Sequence, residues 1–371
     1  MEFESRCPGE GPAGPLRGLR VVEFAGIGPG PFAAMLLSDM GADIVRIDRP
    51  GAGARPAHDV VSRGRRVVEI NLRTADGVEQ ALALLAKADA LLEGFRPGVM
   101  ERLGLGPDVV AARNPRLVYG RITGWGQDGP KALQAGHDID YIALAGPLAT
   151  FGPRGAPPLP PQNLVGDYGG GSLYLVMGML AALLEARASG KGQVVDAAIV
   201  DGSASLLSLY MGRLVRGDWR AERASNMLDA ASHFYRCYET RDGLYMAVGA
   251  IEPQFYAEFC ARMGLDAADL PQHDRARWPE FSDRIAALFR QRSQVEWAAV
   301  FEGGDACVAP VLAPREAALH PHIAHRAVYR DLGGVLQPNA APRFSRSGQG
   351  VQGPAPAAVS HVDEVVAGWT L

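Results

Sequence analysis

Two short segments carry residues able to move a proton. In Leu133-Gln-Ala-Gly-His-Asp-Ile-Asp-Tyr141, His137 precedes the amphipathic run Ile139-Asp-Tyr-Ile-Ala-Leu144. In Asn163-Leu-Val-Gly-Asp-Tyr-Gly-Gly-Gly171, Asp167 stands at the mouth of a glycine-rich turn that opens a long apolar helix. Each proton carrier is expected at a helix start, where backbone N–H groups lack partners in the helix itself. Two such carriers suit removal of a proton next to a carbonyl and stabilisation of the resulting enolate. The dipole at a helix N-terminus disfavours imidazolium, which leaves His137 as the neutral ring a base must be. Ordinary readings compete. A histidine can be a satisfied core group, and an aspartate is a preferred helix cap, with Gly169-Gly-Gly171 serving only close packing. On the functional reading those glycines offer N–H donors to a ligand oxygen.

The elements that must position these residues follow from the apolar pattern. Leu19-Arg-Val-Val-Glu-Phe24 predicts a buried strand, and Phe32, Met35, Leu36 and Met40 then recur at helical spacing until Gly41. Ala42-Asp-Ile-Val-Arg-Ile47 is the next strand. A helix over Ala75 to Lys87, a strand over Ala90 to Phe95, a short helix from Val99 to Leu103 and a strand over Leu117 to Ile122 continue the alternation. Strands alternating with helices imply a parallel α/β sheet. Five prolines between Gly152 and Pro161 mark a loop, and a long helix is expected from Asp201 toward Arg216. Arg241-Asp-Gly243 between two alternating runs is a hairpin signal and opens a second, smaller α+β domain. Its helices are expected at roughly 253–302, and Val362 to Trp369 reads as a short closing helix.

With 371 residues the chain exceeds a usual single core. A net charge of −4 argues against a nucleic-acid binder, whose footprint is basic. Cys7, Cys237, Cys260 and Cys307 show no CxxC spacing, so neither a disulfide framework nor a zinc ribbon is indicated, and a reducing cytoplasm fits. The apolar stretch Leu173 to Leu184 is too short to span a bilayer and reads as a core helix, so no membrane partner is expected. Gly26-Ile-Gly28-Pro29-Gly30-Pro31 imitates a dinucleotide fingerprint, with Asp48 where a ribose-binding acid would lie. Pro31 occupies the place of the third glycine, which weakens a nicotinamide-dehydrogenase reading. His320-Pro-His322-Ile-Ala-His325 could suggest a metal, but Pro321 interrupts it and no acid or cysteine completes the set, so no metal is expected. Arginines 46, 49, 73, 96 and 102 fall near expected strand ends or in loops. Ligands of α/β sheets bind there, although scattered surface arginine is the ordinary reading of each.

GHDIDY, NLVGDYGGGS, SGKGQVVDAAIVDG and GAIEPQFY together resemble the α-methylacyl-CoA racemases, a branch of the family III CoA-transferases, from about Leu16 to the C-terminus. The resemblance implies a large Rossmann-like parallel α/β domain plus a small α+β domain in an interlocked homodimer. The boundaries drawn on it are a loose N-terminal tail over 1–14, a large CoA-binding domain over 15–198 and a helical linker over 199–231. A small domain over 232–323, a return linker over 324–339 and a C-terminal part of the large domain over 340–371 complete the set.

The resemblance further implies that His137 and Asp167 are the two α-carbon bases, with the histidine serving the S epimer. Glu252, otherwise a simple helix-capping acid before Pro253, would pair with the histidine from the small domain or from the partner chain. Contacts to CoA would fall on Arg49, on Asn71, Leu72 and Arg73, on Gly94, Phe95 and Arg96, on Arg102, and on Gly136, Asp138, Ile139, Asp140 and Tyr141. The Gly26–Gly30 turn would lie beneath the acyl-thioester pocket. No cofactor is needed, CoA being part of the substrate. Asp140 departs from the family's usual asparagine, Tyr168 from a usual phenylalanine, and Arg73 from a usual lysine, which keeps the charge but changes its geometry. The expected activity is interconversion of 2-methylacyl-CoA epimers by proton transfer. The alternatives are a CoA-transferase using Asp167 as nucleophile, and a non-catalytic CoA-binding protein.

Overall fold

The computed structural model describes residues 14–369. The segment read as an N-terminal tail, apart from Gly14, and Cys7 with it, lies outside the described residues. Six parallel strands build the main sheet: β1 (Arg20–Phe24), β2 (Asp43–Asp48), β3 (Arg65–Glu69), β4 (Ala90–Glu93), β5 (Val118–Thr123) and β6 (Val194–Ala198). Their order is β3-β2-β1-β4-β5-β6, so the direction of winding reverses between β1 and β4. Helices cover both faces, so β1, β2 and β4 are buried almost throughout, the charged Glu23, Arg46 and Glu93 included. On one face α1 (Pro29–Asp39) packs through Ala33, Ala34 and Leu37. On the other, α2 (Ala75–Leu85), α3 (Val99–Arg102) and α4 (Pro107–Arg113) pack through Leu84, Leu85, Met100 and Val110.

After β5 the chain forms α5 (Asp138–Ala145), a nine-residue π-helix (Leu164–Ser172) and α6 (Leu173–Ser189). The glycines expected to make a turn therefore lie inside a helix. A π-helix, with its i→i+5 bonds, does not follow the 3.6-residue period by which an α-helix is read in sequence. The π-helix and α6 run on as 26 residues, longer than expected and apolar enough to cross a membrane by length and composition. Leu175, Val176, Met179 and Leu183 instead belong to the core of the main sheet, as the sequence implied for this stretch.

The expected long helix after Asp201 is two helices, α7 (Ile199–Ser205) and α8 (Ser208–Arg216). Then come β7 (Tyr235–Glu239), β8 (Tyr245–Gly249), α9 (Pro253–Arg262), α10 (Trp278–Phe289), α11 (Gln294–Phe301), β9 (Val308–Pro310) and α12 (Pro314–Ala317). Last are α13 (Pro321–His325), β10 (Tyr329–Leu332), β11 (Val335–Pro338) and α14 (Val362–Gly368).

Contacts divide the chain into two units: residues up to 146, 161–207 and from 320 onward, and residues 147–160 with 208–319. The expected linker is thus divided between them, because α7 packs backbone to backbone on the π-helix. A Cβ on Gly202 would stand 1.9 Å from the carbonyl oxygen of Gly170. The C-terminal segment belongs to the first unit: Val365 and Trp369 join the core beside α2, and Trp369 Nε1 donates to Asp43 at 2.7 Å.

The second unit holds an antiparallel sheet in the order β7-β8-β9, with the expected hairpin closed by Gly243 N–H to Thr240 O at 3.0 Å. Its interior is aromatic, built from Phe234, Tyr238, Phe259, Phe281, Phe289 and Trp297. His233 is buried there. The Tyr256 hydroxyl donates to Leu270 O at 2.7 Å, so it accepts from His233 Nε2 at 2.6 Å, and the proton of the ring sits on Nε2. Burial holds His233 down at about 4, a neutral core histidine.

Candidate active site

A cavity of about 560 Å³ opens at the carboxyl ends of the strands in the first unit, around the reversal between β1 and β4. Open α/β sheets bind ligands at such a point. Its walls are Gly26–Gly30 after β1, Gly94–Pro97 after β4, and Ile122–Trp125 at the end of β5. His137 and Asp167 both reach it. The turn after β1 is part of this wall, and Gly28, at φ +68°, lets it close: a Cβ there would stand 3.1 Å from Asp167 Oδ2.

His137 is the N-cap of α5 and is exposed. Its backbone N–H donates to Asp140 Oδ2 at 3.0 Å, so the aspartate in the place of the family's usual asparagine works as the returning half of a capping box. The first-turn N–H groups of Asp138 and Ile139, and that of Gly30 in α1, find no acceptor among the described residues. Those of Asp138 and Gly30 are free donors in the cavity wall. The glycines after Asp167 are not. Gly169–Gly171 lie within the π-helix, and the N–H groups of Gly166 and Asp167 are taken by the Asp138 carboxylate, the latter at 2.6 Å. Gly170 and Gly171 serve close packing on α7 and β5: a Cβ on Gly170 would meet Ser203 N at 2.7 Å, and one on Gly171 would meet Ile199 at 3.0 Å.

Asp167 is half-buried in the first turn of the π-helix. Burial, and then the neighbouring charge of Asp138, push its carboxyl above the ordinary range, against the Asn163 side chain and His137, which pull it down. Asn163, four residues earlier on the same helical face, also lines the cavity; it would have been found had the helix been extended back to it. Sequence reasoning also missed Trp125 and Gln134 in the wall. Trp125 meets the Tyr141 ring edge-on at 4.8 Å, while the Tyr141 hydroxyl donates to Gly136 O. A Cβ on Gly124 or Gly136 would collide with that ring, so these glycines seat it. Tyr168 stacks on Phe32 at 4.1 Å and faces α1.

Of the residues assigned to CoA, Gly94, Phe95, Arg96, Gly136, Asp138 and Tyr141 line the cavity. Arg49, Asn71, Leu72, Arg73, Arg102, Ile139 and Asp140 do not. Arg49, Arg73 and Arg96 nevertheless follow the carboxyl ends of β2, β3 and β4, on one edge of the parallel sheet, and their guanidinium groups have no hydrogen-bond or ion-pair partner among the described residues. Arg46 differs. It is buried against Glu23 at 2.9 Å and Asp48 at 3.0 Å, with Arg65 on the other Glu23 oxygen at 2.5 Å. Asp48 also accepts from Arg55, so neither Arg46 nor Asp48 is free for a ligand. Glu252 lies in the second unit, exposed at the N-cap of α9, its carbonyl accepting from Tyr256 N–H at 2.9 Å and its carboxylate without a hydrogen-bond partner among the described residues.

The profile of CoA-transferase family III matches residues 16–362. The chain belongs to CoA-transferase family III. Alpha-methylacyl-CoA racemase of Mus musculus is 45% identical over 90% of this chain and 87% of its own length. The Homo sapiens protein of the same name is 44% identical over 85% and 82%. A CAIB/BAIF family protein from Brucella suis superposes with a TM-score of 0.80 at 25% identity, over 96% of this chain and 100% of that one.

Proposed function

We propose that this chain is a 2-methylacyl-CoA racemase, an isomerase that interconverts the 2R and 2S thioesters by moving one proton. The observation that carries the reading is that His137 and Asp167 line one cavity on a family III scaffold. His137 takes the α-proton from one epimer as the C–H bond breaks and its electrons pass to the thioester carbonyl. Asp167, protonated, returns a proton to the opposite face of the enolate; in reverse the roles exchange. Each positioned acid or base contributes about 10²–10⁴-fold. The enolate oxygen is held by the free N–H group of Asp138 at the start of α5, or by that of Gly30, rather than by the glycines after Asp167. Because a proton leaves and a proton returns, the reaction needs no redox group and no metal.

Arg49, Arg73 and Arg96 anchor the phosphates of CoA along the strand ends. Glu252 pairs with His137 in the assembled protein. That assembly is a homodimer: α6 leaves Leu173, Met177 and Leu184 exposed, and a helix apolar all round is a buried helix. On α8, Met211 and Val215 share one face, the latter 92% exposed, and Leu209 is exposed on another side. A second copy of this chain covers these faces, and light scattering at micromolar concentration is expected to give twice the chain mass. A monomer with full activity would remove the dimer.

A transferase reading remains the alternative, since a carboxylate in Asp167's place can also attack a thioester and form an acyl anhydride. His137 favours the racemase, because a transferase gains nothing from a second base. Incubation of one 2-methylacyl-CoA epimer in deuterium oxide is expected to place deuterium at the α-carbon and yield both epimers. Hydroxylamine in the same sample is expected to leave Asp167 unmodified. A trapped Asp167, with CoA passed to an added carboxylic acid and no α-exchange, would replace this reading by the transferase.

A further inference from the structure

Asp138 stands between the two proposed bases, and it is built into the site differently from its neighbours. The residue is 8% exposed. Oδ2 accepts the N–H of Asp167 at 2.6 Å, the N–H of Gly166 also turns toward the carboxylate, and Oδ1 is buried with no hydrogen-bond partner among the described residues. A Cβ on Gly166 would stand 2.3 Å from Oδ2, so the helix and the carboxylate are fitted to each other with no room for a further atom. An ionised carboxylate with one dehydrated, unpaired oxygen is costly to bury. A neutral side chain could satisfy the same N–H groups at less cost. Burial pushes the carboxyl of Asp138 itself up, and the N–H bonds from Asp167 and Gly166 pull it back toward the ionised form, so the charge is held by the turn it clamps.

We propose that Asp138 is the positioning residue of the second base: its buried carboxylate clamps the first turn of the π-helix, aims Asp167 into the cavity, and by its negative charge helps Asp167 keep the proton it must deliver. An aspartate of ordinary affinity is almost wholly ionised near neutral pH, and few molecules would then carry the acid that the enolate needs. A like charge held nearby shifts that balance toward the protonated form. The groups that face Asp167 are Asp138 and His137 from α5 and its cap, and Asn163 from its own helix. Tyr141 feels Asp167, Asp140 and Arg96 together. Asp138 alone among them both binds the Asp167 backbone and repels its charge. The Asp138 carboxylate, turned onto the helix, is thus a support for the base, and only the backbone at this position is left for substrate.

The inference rests on the racemase reading, and the test separates the two. Asp138→Asn keeps an acceptor for the N–H groups and the shape of the side chain while removing the charge; Asp138→Ala removes both. Solvent deuterium uptake is measured from each pure epimer as a function of pH, with thermal unfolding of each variant alongside. Loss of the like charge lowers the proton affinity of Asp167. Abstraction by Asp167 then persists to lower pH, and delivery from Asp167 fails at lower pH, so both limbs move down. Asp138→Asn is expected to unfold near the native temperature and to move the Asp167 limbs down by roughly one unit, with the His137 limb moving less. Asp138→Ala is expected to lose uptake chiefly from the epimer that Asp167 deprotonates. An Asn profile that superimposes on the native one would leave Asp138 as a plain helix cap and overturn the proposal. Equal losses from both epimers in the Ala variant would also overturn it. No uptake by the native protein would remove the racemase reading, and this role with it.

Discussion

His137 hangs from the end of an ordinary α-helix, exposed, with its N–H tied to Asp140 at 3.0 Å. Asp167 is set inside a π-helix, half-buried, with its N–H tied to Asp138 at 2.6 Å and glycines pressed against β5 and α7 behind it. The difference follows from what each group must become. The histidine sits on a cap with an open face. A carboxylate must be made less acidic, and burial beside another carboxylate does that. Burying it that closely requires a helix whose neighbours carry no side chains. Gly170 and Gly202 meet backbone to backbone where any Cβ would intrude.

The sharpest break of this comparison is to remove each base in turn. His137→Ala and Asp167→Ala are each expected to lose about 10²–10⁴-fold in racemisation. Solvent exchange from the two epimers should then divide: the histidine variant fails chiefly with one, the aspartate variant chiefly with the other. Mass spectrometry of each epimer after incubation in deuterium oxide reads this directly. Equal loss from both epimers in both variants would end the two-base scheme and the contrast of mountings with it.

The contrast also marks how far the sequence could be read. The strands β1, β2, β4 and β5 are legible because each holds a short buried apolar run, Val21-Val22, Ile44-Val45, Ala90 to Leu92 and Val118-Tyr119, despite the charged residues beside it. Strand β3, Arg65-Arg-Val-Val-Glu69, escaped because its first arginine points inward to Glu23, a polar residue in an apolar place. Strand β6 escaped because it forms an edge and is half exposed. At the site, His137 was legible as a cap, since capping is a local rule. Asp167 was legible as a residue but not in its setting: a cluster of glycines reads as a turn, and only the opposing backbone of α7 shows that it is a packing surface. The arginines separate in the same way. Arg46 and Arg49 look alike in sequence, yet one points into the sheet among carboxylates and the other leaves the strand end free.

The two mountings should also fail differently. Gly170→Ala puts a methyl group 2.5 Å from Ser203 Oγ and 2.7 Å from its backbone nitrogen, and backbone cannot yield as a flexible side chain can. Overpacking of this kind costs about 1–3 kcal/mol, and relief requires the π-helix to back away from α7, carrying Asp167 with it. At the other mounting, Asp140→Ala removes an acceptor and a charge from the first turn of α5, worth about 0.5–1 kcal/mol, while Asp140→Asn keeps the acceptor and should cost only a few tenths. Denaturant midpoints for the three variants are expected in that order. Activity should not follow the same scale. The glycine variant should lose exchange mainly from the epimer that Asp167 deprotonates, because the carboxylate has moved. The Asp140 variants should keep the ratio between epimers near the native value, because a frayed cap leaves His137 on the same exposed helix end. If Asp140→Ala distorted the epimer ratio as strongly as Gly170→Ala, the histidine would be as finely placed as the aspartate, and the loose mounting assigned to it here would be wrong.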